Sequence, residues 1–303
     1  MNLNLESKIR ILFIVNPYSG VTHKKHIDKY LKKMLRPEKF DYKIVFTKYK
    51  HHAIELSRQG VDEGYKVFVA VGGDGTVNEV LQATVHSQII LGIIPCGSGN
   101  GLARHCGIPL QMSFAVAALK KSTLTLVDVG KANNIYFSSN AGIGFDATVC
   151  NAIQQSTSRG LKMYIYQTLR HLLLYRSKTY SIQIENEIVE QKIFMLSVAN
   201  GKELGYGFQL APNASLQDGL LDIVILRSFN MISIWKILWD AWHETWQSDT
   251  NKTHTRATQL IIKSTHLNYF QADGDAHPCQ GECIFTLEKN ALQILIPSAE
   301  KKL

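Results

Sequence analysis

Cysteine, long apolar runs and low-complexity sequence are all scarce in this chain of 303 residues. Its five cysteines form an odd, scattered set that is unlike a disulfide framework, which favours a reducing compartment. No apolar run approaches the length that spans a bilayer, and the run ILFIV near the start is too short for a signal peptide. We therefore expect a folded cytoplasmic protein that could still bind at the inner face of a membrane.

Basic residues outnumber acidic ones and give the chain a net charge of +8. This balance favours anionic partners such as nucleic acid, acidic membrane surfaces and phosphorylated small molecules, without choosing among them. The clearest basic face is predicted on a helix over residues 23–36. It consists of Lys25, Lys29, Lys32 and Arg36. Most faces of this kind are simply solvated, so this one does not identify a partner.

Strands and helices alternate regularly through the first third of the chain, which predicts βαβ units and a parallel sheet flanked by helices. The predicted strands cover residues 9–15, 42–46, 66–71 and 89–94, and the predicted helices cover 23–36, 51–63 and 75–85. Ligands bind beyond the carboxyl ends of such strands. Here those ends carry NPYSG, Thr47, GGDGT and PCGSGNG, so we expect these polar tips to line one edge of the sheet.

From about residue 123 the pattern changes to short alternating runs such as TYSIQI, LLDIVIL and ALQILIP, which places the domain boundary near residues 127–130. Such runs predict an antiparallel sheet or sandwich, interrupted by helices over residues 159–175 and 231–247. We predict an α/β nucleotide-binding domain over residues 1–128 and a β-rich substrate and metal domain over 129–303, with about the last 15 residues able to return to the first domain. A cleft between the two domains is the expected place for a site.

The stretch VFVAVGGDGTVNEV, residues 67–80, combines a buried strand, a glycine-rich turn and the start of a helix. No Gly-Lys-Ser/Thr triplet occurs in the chain, and Asn78 stands where a dinucleotide fingerprint needs its third glycine. Glycines here could serve turn geometry alone. Two such loops at one sheet edge instead favour a phosphate site. The carboxylate of Asp74 fits that site if Mg²⁺ lies between it and the phosphate.

Six blocks in order give the chain a specific resemblance to the catalytic domain of diacylglycerol kinases, sphingosine kinases and related bacterial lipid kinases. They are VNPYSG, VGGDGTVNEV, IPCGSGNGLAR, VDVGKANNIYFSSNAGIGFDATV, VANGKELGYGFQLAPNASLQDGLLDIVIL and QADGDAHP. The resemblance implies an NAD-kinase- and phosphofructokinase-like first domain and a β-sandwich second domain. It also implies phosphorylation of a lipid hydroxyl by ATP with Mg²⁺, a peripheral membrane location, and a lipid rather than a nucleic acid as partner.

Carried over by position, the resemblance implies a set of nucleotide contacts in the first domain. They are Asn16, Pro17, Tyr18, Ser19, Gly20, Thr47, Gly72, Gly73, Asp74, Gly75, Thr76, Val77, Asn78 and Ser98. It implies a metal site on the Asp218 side chain and the backbone carbonyls of Ser215 and Leu220, linked to Asp74 through water and Mg²⁺. Without the resemblance, Asp218-Gly219 would be interpreted as a plain hairpin turn. From its position alone, Arg104 could help to neutralise phosphates.

The base of the family is the Glu of an Asp-Gly-Glu turn, and this position is Asp275 here, one methylene shorter. Asp273 is the alternative base, and a solvated turn is the alternative to any catalytic role. Gly101 is a second departure, since many bacterial diacylglycerol kinases carry Asp there. The lipid could thus be diacylglycerol, a sphingoid base, phosphatidylglycerol or another hydroxylated lipid, and the sequence leaves the oligomeric state open.

Several other interpretations compete with this one. His277, Cys279 and Cys283 have spacing that only weakly resembles a zinc site. A stripe of four tryptophans on the predicted helix 231–247 is either core or membrane interface; its members are Trp235, Trp239, Trp242 and Trp246. The whole chain could instead be a soluble-substrate kinase of the NAD-kinase type, or a lipid- or nucleotide-binding protein without catalysis.

Overall fold

The computed structural model describes residues 9–20, 27–34, 40–156, 161–205, 208–209, 211–228 and 251–298. The chain divides into two compact units: unit 1 consists of Met1–Val127 with Asn290–Leu303, and unit 2 consists of Asp128–Lys289. The helices in the described ranges are α1 (Ile27–Met34), α2 (His52–Asp62), α3 (Asp74–Thr84), α4 (Gly101–His105), α5 (Met112–Lys120), α6 (Phe145–Gln154) and α7 (Leu161–Leu174).

The strands begin with β1 (Ile9–Val15), β2 (Phe40–Phe46), β3 (Val67–Gly72), β4 (Ile90–Pro95), β5 (Ser122–Ala132), β6 (Ile135–Phe137), β7 (Asn140–Gly144), β8 (Lys178–Ile184) and β9 (Glu187–Ile193). They continue with β10 (Met195–Ala199), β11 (Glu203–Gly205), β12 (Phe208–Gln209), β13 (Leu221–Leu226), β14 (Lys252–Ala257), β15 (Gln259–Lys263), β16 (Tyr269–Ala272), β17 (Asp275–Pro278) and β18 (Glu282–Pro297).

Unit 1 is built on a parallel sheet in the order β2-β1-β3-β4, with the last part of β18 beside β4. Strand β3 reads VFVAVG and is buried at all six positions, as expected of a central strand that is covered on both faces. The register pairs Val15 with both Phe46 and Val71, and Gly72 with Pro95. The carboxyl ends of the four strands therefore meet at one edge of the sheet.

Unit 2 is a β-sandwich. Its six-stranded antiparallel sheet has the order β14-β13-β10-β7-β16-β17, and a second antiparallel layer contains β9, β8, β15 and the first part of β18. Alternate residues of both layers meet in one apolar core, where Phe270 from the first layer and Phe285 from the second are almost fully buried. This mixed fold, an α/β unit with a parallel sheet and a unit of antiparallel β-structure, confirms the predicted fold class.

The helical predictions had mixed outcomes. The predicted helix over 159–175 corresponds to α7, whereas α4, α5 and α6 were not predicted. The predicted helix over 231–247, and with it the four tryptophans, lies outside the described residues, as do Lys25 and Arg36 of the basic face. Lys29 and Lys32 lie on α1 and are exposed. Within the described ranges, no helix has the length and apolar character needed to cross a membrane.

Candidate active site

Two glycine-rich loops lie against each other at the carboxyl edge of the unit 1 sheet. One follows β3 and contains Gly73, and the other follows β4 and contains Gly97. A Cβ atom added to Gly97 would lie 2.5 Å from the Cα of Gly73, a distance that real side chains do not reach. The N–H of Cys96 also donates to the carbonyl of Gly72 at 2.7 Å. These glycines are therefore required for the close approach of two backbones.

The carboxylate of Asp74 joins these two loops. Its Oδ2 accepts a hydrogen bond from the N–H of Asn100 at 2.7 Å, and its Oδ1 accepts one from the N–H of Gly101 at 2.7 Å. Hydrogen bonds to a carboxylate are roughly twice as strong as neutral ones. The negative charge in the glycine loop thus has a structural partner, because it binds the backbone at the start of α4.

The Asn-Pro-Tyr-Ser-Gly turn after β1 contacts the same region of unit 1. The amide Nδ2 of Asn16 donates to the hydroxyl of Thr76 at 3.2 Å, and its Oδ1 accepts from the N–H of Tyr18 at 2.9 Å. Thr47 is buried after β2, where its N–H donates to the carbonyl of Val15. Thr76 lies in the first turn of α3, whose N-terminus suits an anion. Unit 1 thereby brings together the polar segments that follow β1, β3 and β4.

The other predicted nucleotide contacts vary in exposure. Pro17, Tyr18, Gly20 and Ser98 are exposed, Ser19, Gly73, Gly75 and Asn78 are half-buried, and Gly72 and Val77 are buried. Asn78 accepts a hydrogen bond at Oδ1 from Gln82. Arg104 donates from Nε to the carbonyl of Gly99 at 2.9 Å, so it contacts the second glycine loop.

Glu79, further along α3 than Asp74, binds the start of another helix. Its two carboxylate oxygens accept hydrogen bonds from the N–H groups of His51 at 2.8 Å and Ala53 at 3.1 Å. These groups lie at the start of α2, where the first N–H groups of a helix have no partner within it. Glu79 therefore fixes the start of α2 against α3.

In unit 2, the turn Asp273-Gly274 connects β16 and β17. Asp273 has φ +48° and Gly274 has φ +86°, and Ala272 pairs with Asp275 across the turn. Positive φ at both central residues is the type I′ geometry, which explains the Asp-Gly pair. Asp275 is the first residue of β17 and is half-buried. The turn therefore has a specific conformation.

The carboxylate of Asp273 is held by four donors from the segment that leads into β7. Its Oδ2 accepts from the N–H of Ser138 at 2.8 Å and from its hydroxyl at 3.0 Å, and its Oδ1 accepts from the N–H groups of Ser139 at 2.8 Å and Asn140 at 3.2 Å. These four donors occupy both oxygens of the carboxylate. Of the two predicted bases, Asp273 is thus suited to anchoring the turn.

Gln271 also holds the turn, from the buried end of β16. Its Nε2 donates to Asn140 Oδ1 and to Asp146 Oδ2, both at 2.7 Å, and its Oε1 accepts from the N–H of Gly274 at 3.0 Å. Gln154 of α6 accepts from the N–H of Ala276 at 3.1 Å. The backbone on both sides of Asp275 is therefore fixed by hydrogen bonds from β7, α6 and β16.

Asp146, in the first turn of α6, is buried beside this network. Burial raises its pKa to about 6, and the hydrogen bonds from Gln271 and Cys150 act in the opposite direction. Burial, followed by the charges of Asp146 and Asp275, raises the pKa of the Cys150 thiol. Cys150 Sγ lies 3.9 Å from Asp146 Oδ1, and the hydrogen bond from Ala276 to Gln154 places the start of β17 against α6.

The raised pKa of Asp146 predicts a pH-dependent stability. The pKa of about 6 lies above the ordinary value of 3.8. Between these two pH values the Asp146 carboxyl is therefore protonated in the folded chain and ionised in the unfolded chain. Stability therefore falls as pH rises from about 4 to 6, by at most about 3 kcal/mol, and then levels off. Asp146→Asn should remove this fall in urea unfolding measured from pH 4.5 to 7.5. The exposed Asp62→Asn variant is the control, and parallel curves for wild type and Asp146→Asn would contradict the expectation.

The predicted metal ligands lie in the loop before β13. Asp218 Oδ1 accepts from the N–H of Leu220 at 3.1 Å, Ser215 Oγ accepts from the N–H of Gln217 at 3.2 Å, and the N–H of Gly219 donates to the buried Asp128 at 2.9 Å. Strand β13 pairs with β10 and β14, so this turn does not connect two paired strands. One carboxylate and neighbouring carbonyl oxygens are a donor set that fits Mg²⁺, which usually keeps several waters and binds substrate phosphates.

A second cluster of charges lies next to this loop. Arg256 Nη1 is 3.8 Å from Asp218 Oδ2, and its Nε donates to Asp222 Oδ1 at 3.0 Å. Asp222 is fully buried, and its Oδ1 also lies 2.6 Å from His254 Nε2. Arg256 therefore connects the exposed Asp218 to a buried carboxylate and limits the positions that the Asp218 side chain can take.

The zinc alternative has no support in the described part of the chain. There, no group of three His, Cys, Asp or Glu side chains could hold a metal ion, and the five cysteines are free thiols. Cys279 donates from Sγ to the carbonyl of Glu282, and the His277 ring stacks on Phe270.

Sequence reasoning missed the groups that hold the predicted site residues. Asn100 and Gly101, the backbone partners of Asp74, lie 26 and 27 positions further along the chain. Gln271 and Asp146 lie within two of the blocks that carry the family resemblance, but the sequence predicts no role for either. The signals in the sequence are an isolated acidic residue in a glycine loop and a Gln two residues before an Asp-Gly turn.

The comparisons with known proteins agree with this architecture. Residues 10–132 match the diacylglycerol kinase catalytic domain, and residues 139–296 match the YegS C-terminal NAD kinase beta sandwich-like domain. A lipid kinase YegS-like protein of Chromohalobacter salexigens is 30% identical over 75% of this chain and 74% of its own. A diacylglycerol kinase of Bacillus subtilis is 26% identical over 88% of this chain and 89% of its own.

A solved structure supports the fold. The crystal structure of a diacylglycerol kinase from Bacillus anthracis superposes with a TM-score of 0.73 at 22% identity, over 96% of this chain and 97% of that one.

Proposed function

Because the chain belongs to the lipid kinase family that carries the diacylglycerol kinase catalytic domain, we propose that it transfers the γ-phosphoryl group of ATP to a lipid hydroxyl. The family consists of phosphotransferases and uses ATP. The observation that carries the proposal for this chain is the half-buried Asp275, on a hairpin turn whose backbone is fixed on both sides.

In the proposed reaction, the lipid hydroxyl oxygen attacks the γ-phosphorus and its proton passes to the Asp275 carboxylate. The bond between the γ-phosphorus and the bridging oxygen breaks, and ADP leaves. A carboxylate that accepts the proton must reach the hydroxyl within hydrogen-bond distance. Asp275 is proposed as this base rather than Asp273, because the Asp273 carboxylate is already bound by four donors.

Unit 1 is proposed to bind the nucleotide. The turn after β1, the two glycine loops and the N-terminus of α3 offer backbone N–H groups and a helix end, which favour phosphate. Asp74 supports this surface by holding the second loop against the first. The negative charge of the Asp74 carboxylate would repel phosphate. The two backbone N–H groups that it binds partly offset this charge.

Mg²⁺ is proposed as the cofactor, held by the Asp218 side chain and the carbonyl oxygens of Ser215 and Leu220. When bound, the ion would neutralise charge that develops on the transferred phosphoryl group. The link between Asp74 and Asp218 that the family resemblance implies stays a prediction.

Diacylglycerol is the proposed acceptor, since the Bacillus subtilis relative is named for it. The test is incubation with labelled ATP and Mg²⁺ over mixed micelles that contain diacylglycerol, a sphingoid base or phosphatidylglycerol, followed by organic extraction. We expect label in the organic phase with diacylglycerol. Label in a soluble acceptor such as NAD, with none in any lipid, would favour the soluble-substrate kinase instead, and ATP binding without any transfer would favour a non-catalytic protein.

A further inference from the structure

Cys279 and Cys283 lie at the two ends of a tight connection between the layers of the unit 2 sandwich. Cys279 comes directly after β17 of the six-stranded sheet, and Cys283 is the second residue of β18 in the other layer. The chain turns between them at Gly281, which has φ +76°. Cys279 Sγ donates to the carbonyl oxygen of Glu282 at 2.6 Å. Because that carbonyl group is bonded to the nitrogen of Cys283, the two cysteines are neighbours in space.

The backbone holds both cysteines in place. The N–H of Cys279 donates to the carbonyl of Asn268 at 2.8 Å. Cys283 pairs with Ile262 in the ladder between β15 and β18, and its side chain is fully buried in the core of the sandwich. The proximity of the two thiols is therefore a property of the folded chain and does not depend on a mobile loop bringing them together.

The two thiols hydrogen-bond each other, and this contact shifts their acidities in opposite directions. The hydrogen bond from Cys283 is the largest cause that lowers the pKa of Cys279 to about 7, against the opposing effect of burial. The Glu282 backbone and the Asn133 side chain lower it further. Burial, followed by the hydrogen bond with Cys279, raises the pKa of Cys283. On ionisation, Cys279 exchanges its bond to the Glu282 carbonyl for these donors, and Cys283 keeps its proton.

Cys106 shows what a cysteine of similar burial does without such a neighbour. Cys106 is 6% exposed and Cys279 is 9% exposed, but burial raises the pKa of Cys106 to about 12. The thiolate is the nucleophilic form of cysteine, and a buried thiol with a raised pKa is inert. Cys106 is therefore a small apolar side chain, whereas Cys279 is suited to reaction.

The chemistry open to this pair is oxidation rather than metal binding. Within the ranges that the structure describes, no group of three His, Cys, Asp or Glu side chains could hold a metal ion. Two adjacent thiols of unlike acidity are instead the arrangement found in redox-sensitive cysteine pairs, in which an ionised thiol reacts first and its neighbour resolves the product. The exposures fit these roles, since Cys279 retains some accessible surface and Cys283 has none.

We propose that Cys279 and Cys283 form a redox modification site, in which Cys279 reacts with a hydroperoxide and Cys283 then closes a reversible disulfide within the chain. The site is separate from the proposed kinase chemistry and does not depend on it. The disulfide would join the end of β17, the strand that begins with Asp275, to the start of β18.

The reaction takes place in two steps. The Cys279 thiolate attacks one peroxide oxygen, so that a sulfur–oxygen bond forms, the oxygen–oxygen bond breaks, and the released hydroxide takes up a proton to become water. The Cys283 sulfur then attacks the Cys279 sulfenic acid. A sulfur–sulfur bond forms, the sulfur–oxygen bond breaks, and the leaving hydroxide takes the Cys283 proton as a second water. The two thiols are oxidised and the peroxide is reduced, and an external thiol reverses the change by exchange.

The test is treatment of the full chain with hydrogen peroxide at pH 7, followed by alkylation of the remaining thiols and peptide mapping by mass spectrometry. We expect a disulfide between Cys279 and Cys283 that forms at least about tenfold faster than Cys106 is oxidised, because roughly half of the Cys279 thiols are ionised at this pH. Dithiothreitol should restore both thiols. Survival of both thiols under conditions that oxidise Cys106 would overturn the proposal, as would a disulfide from Cys279 to another cysteine.

Serine variants assign the two roles. Cys283→Ser should stop the reaction at a Cys279 sulfenic acid, which dimedone traps, whereas Cys279→Ser should leave Cys283 as a thiol. Cys106→Ser is the matched control, and its disulfide should form at the wild-type rate. Oxidation of Cys283 at an unchanged rate in Cys279→Ser would overturn the assignment of Cys279 as the reacting thiol. The mapping of wild-type protein decides the proposal even if a serine variant does not fold.

Discussion

Asp74→Asn is expected to lower turnover at least about 100-fold, since small misplacements of a positioning loop have effects of this size. Both oxygens of the Asp74 carboxylate accept backbone N–H groups, from Asn100 and Gly101. Asn retains one acceptor oxygen and turns an NH₂ group toward the other backbone N–H, so one partly buried hydrogen bond is lost and two donors face each other. Loss of a bond to a charged group costs roughly 1.5–3 kcal/mol. The second glycine loop should then move away from the first.

The matched control is Glu79→Gln, which changes another carboxylate of α3 that binds two backbone N–H groups. It should lower the thermal midpoint by an amount similar to Asp74→Asn, and it should leave turnover within a few-fold of wild type. The measurement is kcat and the KM for ATP in all three proteins, alongside their thermal unfolding. Turnover by Asp74→Asn that remains near the wild-type value would contradict the role given to Asp74.

Asp275→Asn is expected to lower kcat by about 100- to 10,000-fold, the range typical for loss of a positioned acid or base. The KM values for ATP and lipid should change little, because Asn has the same shape and the turn is held by Gln271, Asp273 and Gln154. The measurement is steady-state kinetics with the preferred lipid of the panel. A kcat within tenfold of wild type would remove Asp275 as the base.

Two further variants distinguish the base from its anchor. Asp275→Glu introduces the residue that the family resemblance implies at this position and should keep substantial turnover, since the carboxylate remains. Asp273→Asn should instead lower the free energy of unfolding by roughly 2 kcal/mol or more, because it replaces an oxygen that accepts partly buried N–H or O–H donors. If the Asp273→Asn protein is stable but has no turnover, and the Asp275→Asn protein is active, then Asp273 is the base and Asp275 is not.

The fold of unit 1 was accessible from the sequence because its strands β3 and β4 are short, continuous apolar runs separated by polar turns. β3 was predicted over 66–71 and is Val67–Gly72, and α3 was predicted over 75–85 and is Asp74–Thr84. Burial on both faces produces such runs, which makes central parallel strands easy to recognise.

Helix α6 was missed for a physical reason. Phe145–Gln154 reads FDATVCNAIQ, in which Thr148 and Val149 are β-branched and favour strand, and the helix follows β7 directly. Its formation depends on packing against β7, β16 and β17, which local propensity does not register. Strand β18 was similarly predicted only over ALQILIP, residues 291–297, although it begins at Glu282.

The candidate site was predictable in its side chains and unpredictable in their partners. The Asp74 and Asp273 carboxylates bind backbone N–H groups that every residue type offers, at sequence separations of 26 and 135 residues. No residue pattern marks such donors, because only the folded backbone positions them. The family resemblance named both aspartates, and the structure gives each a hydrogen-bonded role that the resemblance did not contain.

The most direct test of the central proposal is to follow both labels of ATP into the lipid. Wild-type protein is incubated with diacylglycerol micelles, Mg²⁺ and ATP labelled at either the γ- or the α-phosphorus, and the organic phase is counted. The proposal predicts a labelled lipid phosphomonoester from γ-labelled ATP, none from α-labelled ATP, and at least about 100-fold less label with Asp275→Asn. Label in the lipid from the α-phosphorus, or equal label with Asp275→Asn, would contradict it.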